Sequence, residues 1–516
     1  MNQMEAWEPV KIEMITAQCS DECAESDGPK RCARHQMIPL RWVFDYKLDE
    51  KGFIIRFKAR LCVRGDMQRL DDQDSSTSTL TSRSFRCLMA ITAAFDLETF
   101  QMDAVNAFLN SKLDEKVFVQ YPPMFGRKGY CLRLKRAVYG LRIAGKKWED
   151  DVKKMLSALG FIPSPEDPAL YSDEKMVILV FVDDFLGIYP KSAAPHAEKM
   201  RRKLKEAFEM KDCGELTQFI GIRVTRDRPT RRLWIDQTSY IERMAARYDI
   251  PQPKRPASAP LPTNFKLDIL PSDVVRSDIS YIRQYQGKNG STLFPGVWTR
   301  PDISWSNQAL ARVLTKPTER HMTAVDHLIS YLVATKDLAI CYDGRTDPSQ
   351  LFKVFSDASF ADNSDRKSTS GYLFTLYGGP FDWSARKQRT VSTSTTEAEL
   401  LALAAAGKQL LWIKRFFRSI TFDPMVQMEI FCDNKPTVDL MIRSKSVYTT
   451  KLRHVDIHRH WLRQEVQTKA LRINWIPSSE MLADGLTKQF LPQKHRDFVQ
   501  RLNMEVPPSS LTSITV

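Results

Sequence analysis

The sequence predicts a multidomain α/β (α+β) protein, and three observations lead to this prediction. The chain has 516 residues, of which 43% are hydrophobic, so it can build two or three domains with their own cores. Short runs rich in Val, Ile and Phe alternate along it with stretches of helical apolar spacing. Six prolines between Ile250 and Pro271 interrupt any regular element, so we expect a domain boundary there.

Charge is distributed unevenly along the chain. The protein has 76 lysine and arginine residues against 62 acidic residues, a formal net charge of +14. Residues 1–27 hold seven acidic residues and one lysine, so this segment carries −6 and the remainder carries +20. An excess of that size favours polyanionic partners, nucleic acid first.

Membrane and disulfide signals are absent from the sequence. It has no apolar run long enough to cross a bilayer and no signal-peptide pattern, so we expect a soluble intracellular protein without a membrane partner. The nine cysteines are scattered, which fits reduced thiols. Cys19, Cys23, Cys32 and His35 offer four zinc ligands in principle, but their spacing matches no standard zinc finger and the nearby acids favour a solvated loop.

Asp183 and Asp184 lie between two apolar runs in the stretch from Met176 to Tyr189. The runs lack a helical period, so we predict a strand, a tight turn carrying the acids, and a second strand. A capped hairpin turn is one interpretation of the acids. Two adjacent carboxylates repel each other, however, and this favours a site for a divalent ion. Because successive strand side chains face opposite ways, one of the two should dominate as ligand.

Upstream, Arg41 to Val63 predicts two strands around a turn at residues 49–52. Lys58 and Arg60 lie two positions apart and therefore share a face of the second strand. That face is suited to holding a triphosphate, although a solvated strand face is an equally simple interpretation.

A third acid follows a predicted helix. Thr79 to Asp96 has helical spacing, with Leu88, Ile91, Ala94 and Phe95 on one side. Asp103 then stands near the end of an apolar strand that begins at Phe100. An isolated aspartate such as Asp103 would usually be a helix cap, so its role depends on which side chains lie near it in the fold.

The last third of the chain contains four more acids at the ends of predicted elements. Strands are predicted at Leu351 to Phe355, Gly371 to Tyr377, Met428 to Phe431 and Leu471 to Ile476. Asp357 and Asp433 follow strands, and Asp484 lies in a predicted helix start from Ser478 to Thr487. Ser394 and Glu397 form a capping box, which leaves Glu399 available for chemistry. Acids on separate segments in this order indicate a two-metal centre, in addition to the ion site predicted at Asp183 and Asp184.

Several motifs, in order and at similar intervals, resemble the reverse transcriptase of copia-type LTR retrotransposons. They are QMDAVNAFLN (101–110), LKRAVYGLRIAGKKW (134–148), SPEDPALY (164–171) and FVDD (181–184), with RWVFDYKLDEKGFIIRFKARLCVRG (41–65), FEMKDCGELTQFIGI (208–222) and TRPDISWSNQALARVLTKPTERH (299–321) around them. In the last third, SDAS, TTEAELLAL, CDN and MLADGLTK resemble the RNase H domain of the same polyproteins. The resemblance covers about residues 38–495.

The resemblance implies a right-hand polymerase with fingers, palm and thumb, followed by an RNase H-like mixed sheet with helices. The implied domains are an acidic N-terminal segment (1–37), fingers and palm (38–248), a thumb or connection (249–345), an RNase H-like domain (350–495) and a C-terminal tail (496–516). Helices are expected from His196 to Met210 and from Trp305 to Thr335. Basic residues near the latter are candidates for contacts to duplex phosphates, namely Arg300, Arg312 and Lys316.

The resemblance also implies site residues. Asp103, Asp183 and Asp184 would hold two Mg²⁺ ions, with Mn²⁺ as an alternative, and Phe108 would stack under the incoming sugar unless it is an ordinary core aromatic. Lys58 and Arg60 would contact nucleotide phosphates. A second pair of ions would be held by Asp357, Glu399, Asp433 and Asp484. His454 would assist proton transfer or product release, although a surface histidine on a helix is an equal alternative.

The function implied is RNA-directed DNA polymerase with RNase H activity. Its partners would be an RNA template, a DNA primer, deoxynucleoside triphosphates, the RNA–DNA hybrid and other polyprotein products, in cytoplasmic particles or the nucleus. Two departures stand out: Ile143 replaces the usual Gln and Phe181 the commoner Tyr. A catalytically impaired relic, or a recruited host protein that only binds nucleic acid, is the alternative. Without protease or integrase motifs, the chain is expected to be the C-terminal piece of a polyprotein.

Overall fold

The chain folds into two compact units. Unit one comprises Met1–Leu80 and Phe100–Gly214, and unit two comprises Thr81–Thr99 and Glu215–Val516. The computed structural model describes residues 5–15, 36–48, 53–69, 76–122, 124–250, 257–442 and 453–508.

A six-stranded sheet forms the centre of unit one. Alternate residues of its second strand, Phe100, Met102 and Ala104, are buried, and this places Asp103 on the other face of the sheet. Helices Ala144–Ala158 and Ala194–Ala207 pack on the buried face through residues such as Trp148 and Leu204. In order across the sheet the strands are Met210–Gly214, Glu98–Ala104, Asp184–Tyr189, Val177–Phe181, Leu170–Ser172 and Ile162–Pro163.

A two-stranded hairpin and a four-stranded sheet complete unit one. The hairpin pairs Leu40–Leu48 with Ile54–Val63 in antiparallel register. The short helix Ala107–Asn110 follows strand Glu98–Ala104 of the six-stranded sheet. The four strands, in order, are Trp7–Lys11, Tyr130–Arg136, Lys112–Val119 and Met37–Ile38.

Unit two contains two five-stranded sheets. One has, in order, strands Gln218–Phe219, Ile222–Asp227, Arg232–Asp236, Ala339–Asp343 and Met504–Glu505. The other has Gly379–Lys387, Thr369–Leu376, Phe352–Ser359, Glu429–Cys432 and Arg472–Trp475. The second sheet is mixed, because its first three strands pair antiparallel and its last three pair parallel.

Helices cover both sheets of unit two. Arg86 lies on helix Ser82–Phe95 and is fully buried. Its Nε donates to the carbonyl of Phe381 at 2.7 Å, and its guanidinium lies 3.8 Å from the centre of the Trp383 ring. These contacts attach that helix to the mixed sheet. The helices are Ser82–Phe95, Thr238–Arg247, Ile279–Trp298, Ser304–Ala311, Glu319–Ala334, Thr395–Ser419, Lys435–Ile442, Arg453–Gln467 and Pro492–Arg501. Short 3-10 helices in the two units are Gly65–Met67, Lys191–Ala193, Pro301–Ile303, Pro348–Gln350, Ser478–Glu480 and Leu482–Leu486.

Most predicted elements are confirmed, with some corrections. The strand, turn and strand around Asp183 are present, as is the helix after Thr79, but Phe95 is 55% exposed rather than buried. Strand Gly379–Lys387 was not predicted, and the helix expected at Ser478 to Thr487 is two short 3-10 turns. The turn at 49–52 and the cluster from Cys19 to His35 lie outside the described residues.

Two of the basic residues expected to face a duplex are engaged within the protein. Arg300 is 1% exposed and forms a bidentate ion pair with Asp302 at 2.8 and 2.9 Å, so its assignment to phosphate binding was wrong. Arg312 is half-buried and donates to Asn363. Lys316 is exposed and stays a prediction. Within the described parts of the chain, no helix combines the length and apolarity that crossing a bilayer requires.

Candidate active sites

The turn that carries Asp183 is tight and conformationally unusual. Phe181 pairs with Asp184, so Val182 and Asp183 alone connect the two strands. Two-residue hairpin turns require positive φ, and Val182 adopts φ +55°, which is costly for a β-branched side chain. The indole N–H of Trp148 donates to the carbonyl oxygen of Val182 at 2.5 Å. Trp148 is buried in the core, so its hydrogen bond holds the turn against the core.

Asp103 is brought to this turn by a backbone hydrogen bond. The N–H of Ala104 donates to the carbonyl of Asp183 at 2.7 Å, which fixes the end of strand Glu98–Ala104 beside the turn. Burial, and then the negative charge of Asp103, raise the pKa of Asp183. Burial, followed by the charge of Asp183, raises the pKa of Asp184 to about 6, and Gln101 donates to this carboxylate at 3.5 Å.

These electrostatic effects place the three acids in one neighbourhood but not in one coordination shell. Among the described His, Cys, Asp and Glu side chains, no set of three has its ligand atoms within 4.8 Å of one another at this turn. The sheet geometry explains the separation, because Asp184 begins the second strand of the hairpin whereas Asp183 lies in the turn. Which acid of the pair dominates as a ligand stays a prediction.

The basic hairpin contributes positive charge to the same turn. Both Arg60 and Lys58 oppose the rise in the pKa of Asp183, with Arg60 the stronger of the two. In the hairpin register Lys58 pairs with Asp45, and Arg60 Nη1 lies 3.9 Å from an Asp45 oxygen. The two predicted phosphate-binding side chains therefore contribute positive charge at Asp183.

Tyr139 is a residue of this site that sequence reasoning missed. Its ring packs edge-on against Phe108, with centroids 4.7 Å apart, and its carbonyl accepts from the N–H of Val63 at 2.7 Å. Burial and the charge of Asp183 raise the pKa of its hydroxyl. The neighbouring Gly140 has φ +86°, and a Cβ there would overlap the carbonyl of Val63. The available signal was the aromatic residue before a glycine in LKRAVYGLRIAGKKW.

Ile143, the first departure from the expected motif, is turned into the core. It is 4% exposed and packs in the cluster that includes Val138 and Leu141. It stands immediately before helix Ala144–Ala158. A buried aliphatic side chain fits this position without a hydrogen-bond partner, which an amide would need.

The second candidate site lies at the ends of two parallel strands of the mixed sheet. Ser356 pairs with Cys432, so Asp357 and Asp433, the next residues, emerge side by side. Glu399 comes from helix Thr395–Ser419, which approaches closely because Ala398 and Ala402 pack on Ala358. Asp484 is supplied by the 3-10 helix Leu482–Leu486.

Ligand atoms converge here as they do not at the first site. Oxygens of Asp357, Asp433 and Asp484 lie within 4.8 Å of one another, and so do ligand atoms of Glu399, Cys432 and Asp433. Asp433 belongs to both sets, an arrangement suited to two neighbouring ions. Carboxylate oxygens are the ligands that Mg²⁺ prefers, so the donor set fits this metal. Cys432 was not predicted, although it directly precedes Asp433.

Burial and mutual repulsion dominate the electrostatics of this cluster. Burial raises the pKa of Glu399 to about 9, and the charges of Asp357 and Asp433 add to the effect. Burial likewise raises the pKa of Asp357 to about 6, against the opposing charge of Lys488. At the helix start, the Ser394 hydroxyl accepts from the N–H of Glu397 at 3.2 Å, which is one half of the predicted capping box. The Glu397 carboxylate accepts from the N–H and hydroxyl of Thr393 rather than from the N–H of Ser394, so the reciprocal half is displaced by one residue.

Hydrogen bonds orient two of the ligands. The hydroxyl of Thr487 donates to Asp357, and that of Ser478 donates to Asp433 at 2.6 Å. His454 lies in the first turn of helix Arg453–Gln467, but its side chain is outside the described part of the chain, so its role stays a prediction.

Comparison with known proteins agrees with the motifs. Residues 28–260 match the family described as reverse transcriptase (RNA-dependent DNA polymerase). The chain is 32% identical over 464 residues to the retrovirus-related Pol polyprotein from transposon TNT 1-94 of Nicotiana tabacum, covering 87% of this chain and 34% of the relative. It is 30% identical over 484 residues to the corresponding polyprotein from transposon RE1 of Arabidopsis thaliana, covering 92% and 32%. The chain thus spans about a third of the length of these relatives.

Among solved structures, the foamy viral protease-reverse transcriptase in complex with RNA/DNA hybrid matches with a TM-score of 0.44 and 12% identity, covering 86% of this chain and 50% of that one.

The acid-bearing hairpin and the family match define the class of protein: the chain carries a reverse transcriptase region. Over about nine-tenths of its own length, the chain is similar to the Pol polyproteins of these two plant transposons.

Proposed function

We propose that this chain is an RNA-directed DNA polymerase with RNase H activity, with one centre for each reaction. The observation that supports the proposal is that acids from distant segments are brought together at two separate places. In unit one the N–H of Ala104 donates to the carbonyl of Asp183 at 2.7 Å, which places Asp103 beside the turn, and in unit two oxygens of Asp357, Asp433 and Asp484 lie within 4.8 Å of one another.

At the polymerase centre, Asp103 and Asp183 are the proposed metal ligands, with Asp184 beside them. Bound Mg²⁺, or Mn²⁺ in its place, would supply activation of the attacking hydroxyl and stabilisation of the leaving group. Lys58 and Arg60 neutralise the triphosphate of the incoming deoxynucleotide. Phe108, supported edge-on by Tyr139, packs under the sugar and excludes a 2′-hydroxyl.

At the RNase H centre the proposed ligands are Asp357, Glu399, Asp433 and Asp484. Thr487 and Ser478 hold two of these carboxylates in orientation through their hydroxyls. His454 is proposed to move a proton or to help release the product. The substrate is the RNA strand of an RNA–DNA hybrid, recognised through backbone shape and charge rather than base sequence.

The domain boundaries proposed for these activities are those of the resemblance: fingers and palm at 38–248, thumb or connection at 249–345, and RNase H at 350–495. The proposed partners are an RNA template, a DNA primer and other products of a polyprotein. We place the protein in cytoplasmic particles, the nucleus or both.

Primer extension on an RNA template and cleavage of a labelled hybrid test the proposal together. Asp183→Asn should abolish extension and spare cleavage, whereas Asp357→Asn should do the reverse, so each variant is the folding control for the other. Wild-type protein that shows neither activity with Mg²⁺ or Mn²⁺ would be a nucleic-acid-binding relic. Loss of both activities in each variant would refute two independent centres.

A further inference from the structure

A lysine ammonium lies among the acids of the second centre. Lys488 Nζ is 2.8 Å from an oxygen of Asp484 and 3.7 Å from an oxygen of Asp357. These two acids, with Asp433, form one of the two sets whose ligand atoms lie within 4.8 Å of one another. An ammonium at such distances partly neutralises two carboxylates that a divalent ion would otherwise bind.

The burial of the three side chains is unequal. Those of Asp357 and Asp484 are 2% and 10% exposed, whereas that of Lys488 is 43% exposed. The carboxylates are therefore fixed, and the lysine has a route into solvent along its flexible stem. Thr487, the preceding residue, donates to Asp357 and keeps the carboxylate in place independently of the lysine.

A second lysine provides a comparison within the same cluster. Lys494 Nζ is 3.2 Å from the other oxygen of Asp484, and its side chain is 60% exposed. It contacts this acid from the outer side, whereas Lys488 bridges Asp484 and Asp357. Of these two lysines, Lys488 is the one positioned to compete with an ion.

We propose that Lys488 is a displaceable counter-cation of the RNase H centre. It neutralises Asp357 and Asp484 before an ion binds, competes with Mg²⁺ for these carboxylates, and thereby sets the Mg²⁺ concentration at which hybrid cleavage begins. Two cations cannot share the position without strong repulsion, so binding of the ion moves the ammonium outward. The proposal rests on the proposed RNase H centre and adds to it a residue that sets its affinity for Mg²⁺.

Calorimetric titration of the full chain with Mg²⁺ tests the proposal. All proteins carry Asp103→Asn and Asp183→Asn, so that the polymerase centre does not contribute to the binding signal. Lys488→Met removes the charge and keeps the stem, and its Mg²⁺ dissociation constant should fall on the order of tenfold. Lys488→Arg should stay near the background protein, and Lys494→Met should shift the constant less than Lys488→Met does.

Two further measurements separate competition from structural support. The half-saturating Mg²⁺ concentration for hybrid cleavage should fall in Lys488→Met in parallel with the binding constant. The melting temperature without metal should also fall, because Asp357 loses the lysine beside it and Asp484 keeps only Lys494. Unchanged or weaker Mg²⁺ binding by Lys488→Met, or an equal effect of Lys494→Met, would overturn the proposal.

The same titration distinguishes this proposal from the one it rests on. Asp357→Asn should abolish the high-affinity Mg²⁺ signal. If it does so while Lys488→Met fails to tighten binding, only the role of the lysine is wrong. If Asp357→Asn leaves binding unchanged, the proposed ion centre itself is wrong.

Discussion

The hydrogen bond between Trp148 and Val182 gives the sharpest test of how the polymerase turn is held. Val182 has φ +55°, a conformation that costs about 1–3 kcal/mol for a residue other than glycine. The indole N–H of buried Trp148 donates to its carbonyl at 2.5 Å, and one such bond stabilises by about 0.5–1.5 kcal/mol. The bond is thus comparable in size to the strain that it opposes.

Trp148→Phe removes this donor and keeps an aromatic ring against Phe208 and Phe185. A loss of about 1 kcal/mol at the turn corresponds to roughly a fivefold lower population of the competent geometry. We therefore expect single-turnover primer extension to slow by about three- to tenfold. Hybrid cleavage by the same preparation should be unchanged, and this serves as the internal folding control.

A double-mutant cycle completes this test. Glycine tolerates positive φ, so Val182→Gly relieves the strain and should make the turn less dependent on Trp148. Trp148→Phe should then slow extension less in the Val182→Gly background than in wild type. Equal slowing in both backgrounds, full extension by Trp148→Phe, or parallel loss of both activities would refute the reasoning.

Three further predictions concern stability and selectivity. A Cβ at Gly187 would overlap the ring of Phe100, so Gly187→Ala should lower the free energy of unfolding by about 1–3 kcal/mol in urea titrations. Gly290 lies in a helix with open space around it, so the matched control Gly290→Ala should raise the free energy of unfolding by up to about 1 kcal/mol. Burial raises the pKa of Asp382 from its ordinary value of 3.8 to about 6, so the folded state resists its ionisation. The free energy of unfolding therefore falls as pH rises through that window. The stability of Asp382→Asn relative to wild type should therefore increase from about pH 4 to about pH 6 and then level off, and a pH-independent difference in melting temperature would contradict this. Phe108→Val should raise ribonucleotide incorporation relative to deoxynucleotide incorporation by at least about tenfold, and unchanged selectivity would return Phe108 to a purely structural role.

Local sequence was sufficient for elements whose signal lies within a few residues. The apolar runs on either side of Asp183 and Asp184 predicted the hairpin, and the capping box predicted which of Glu397 and Glu399 is used at the helix start. These signals are local because strand pairing across a two-residue turn and helix capping both involve neighbours along the chain.

The sequence also named the acids of both candidate centres, but it could not give the distances between them. Asp357 and Asp484 are 127 positions apart, and only the packing of a 3-10 helix against the mixed sheet brings their oxygens together. The ordered motifs named the residues, whereas tertiary structure decided that the second set closes within 4.8 Å and the first does not.

Other features depended on tertiary structure alone. A positive charge beside an acid, as in Arg300 and Asp302, looks the same in sequence whether it is exposed or buried, and here it is buried. Helix Ser82–Phe95 is buried along nearly its whole length, but Phe95 at its end is 55% exposed. The helical spacing of apolar residues did not predict this exposure. Tyr139, Cys432 and Lys488 acquire their positions from partners distant in sequence. Periodicity along a chain reports the environment on either side of one element, whereas a site is made by the contacts between elements, which only the folded packing determines.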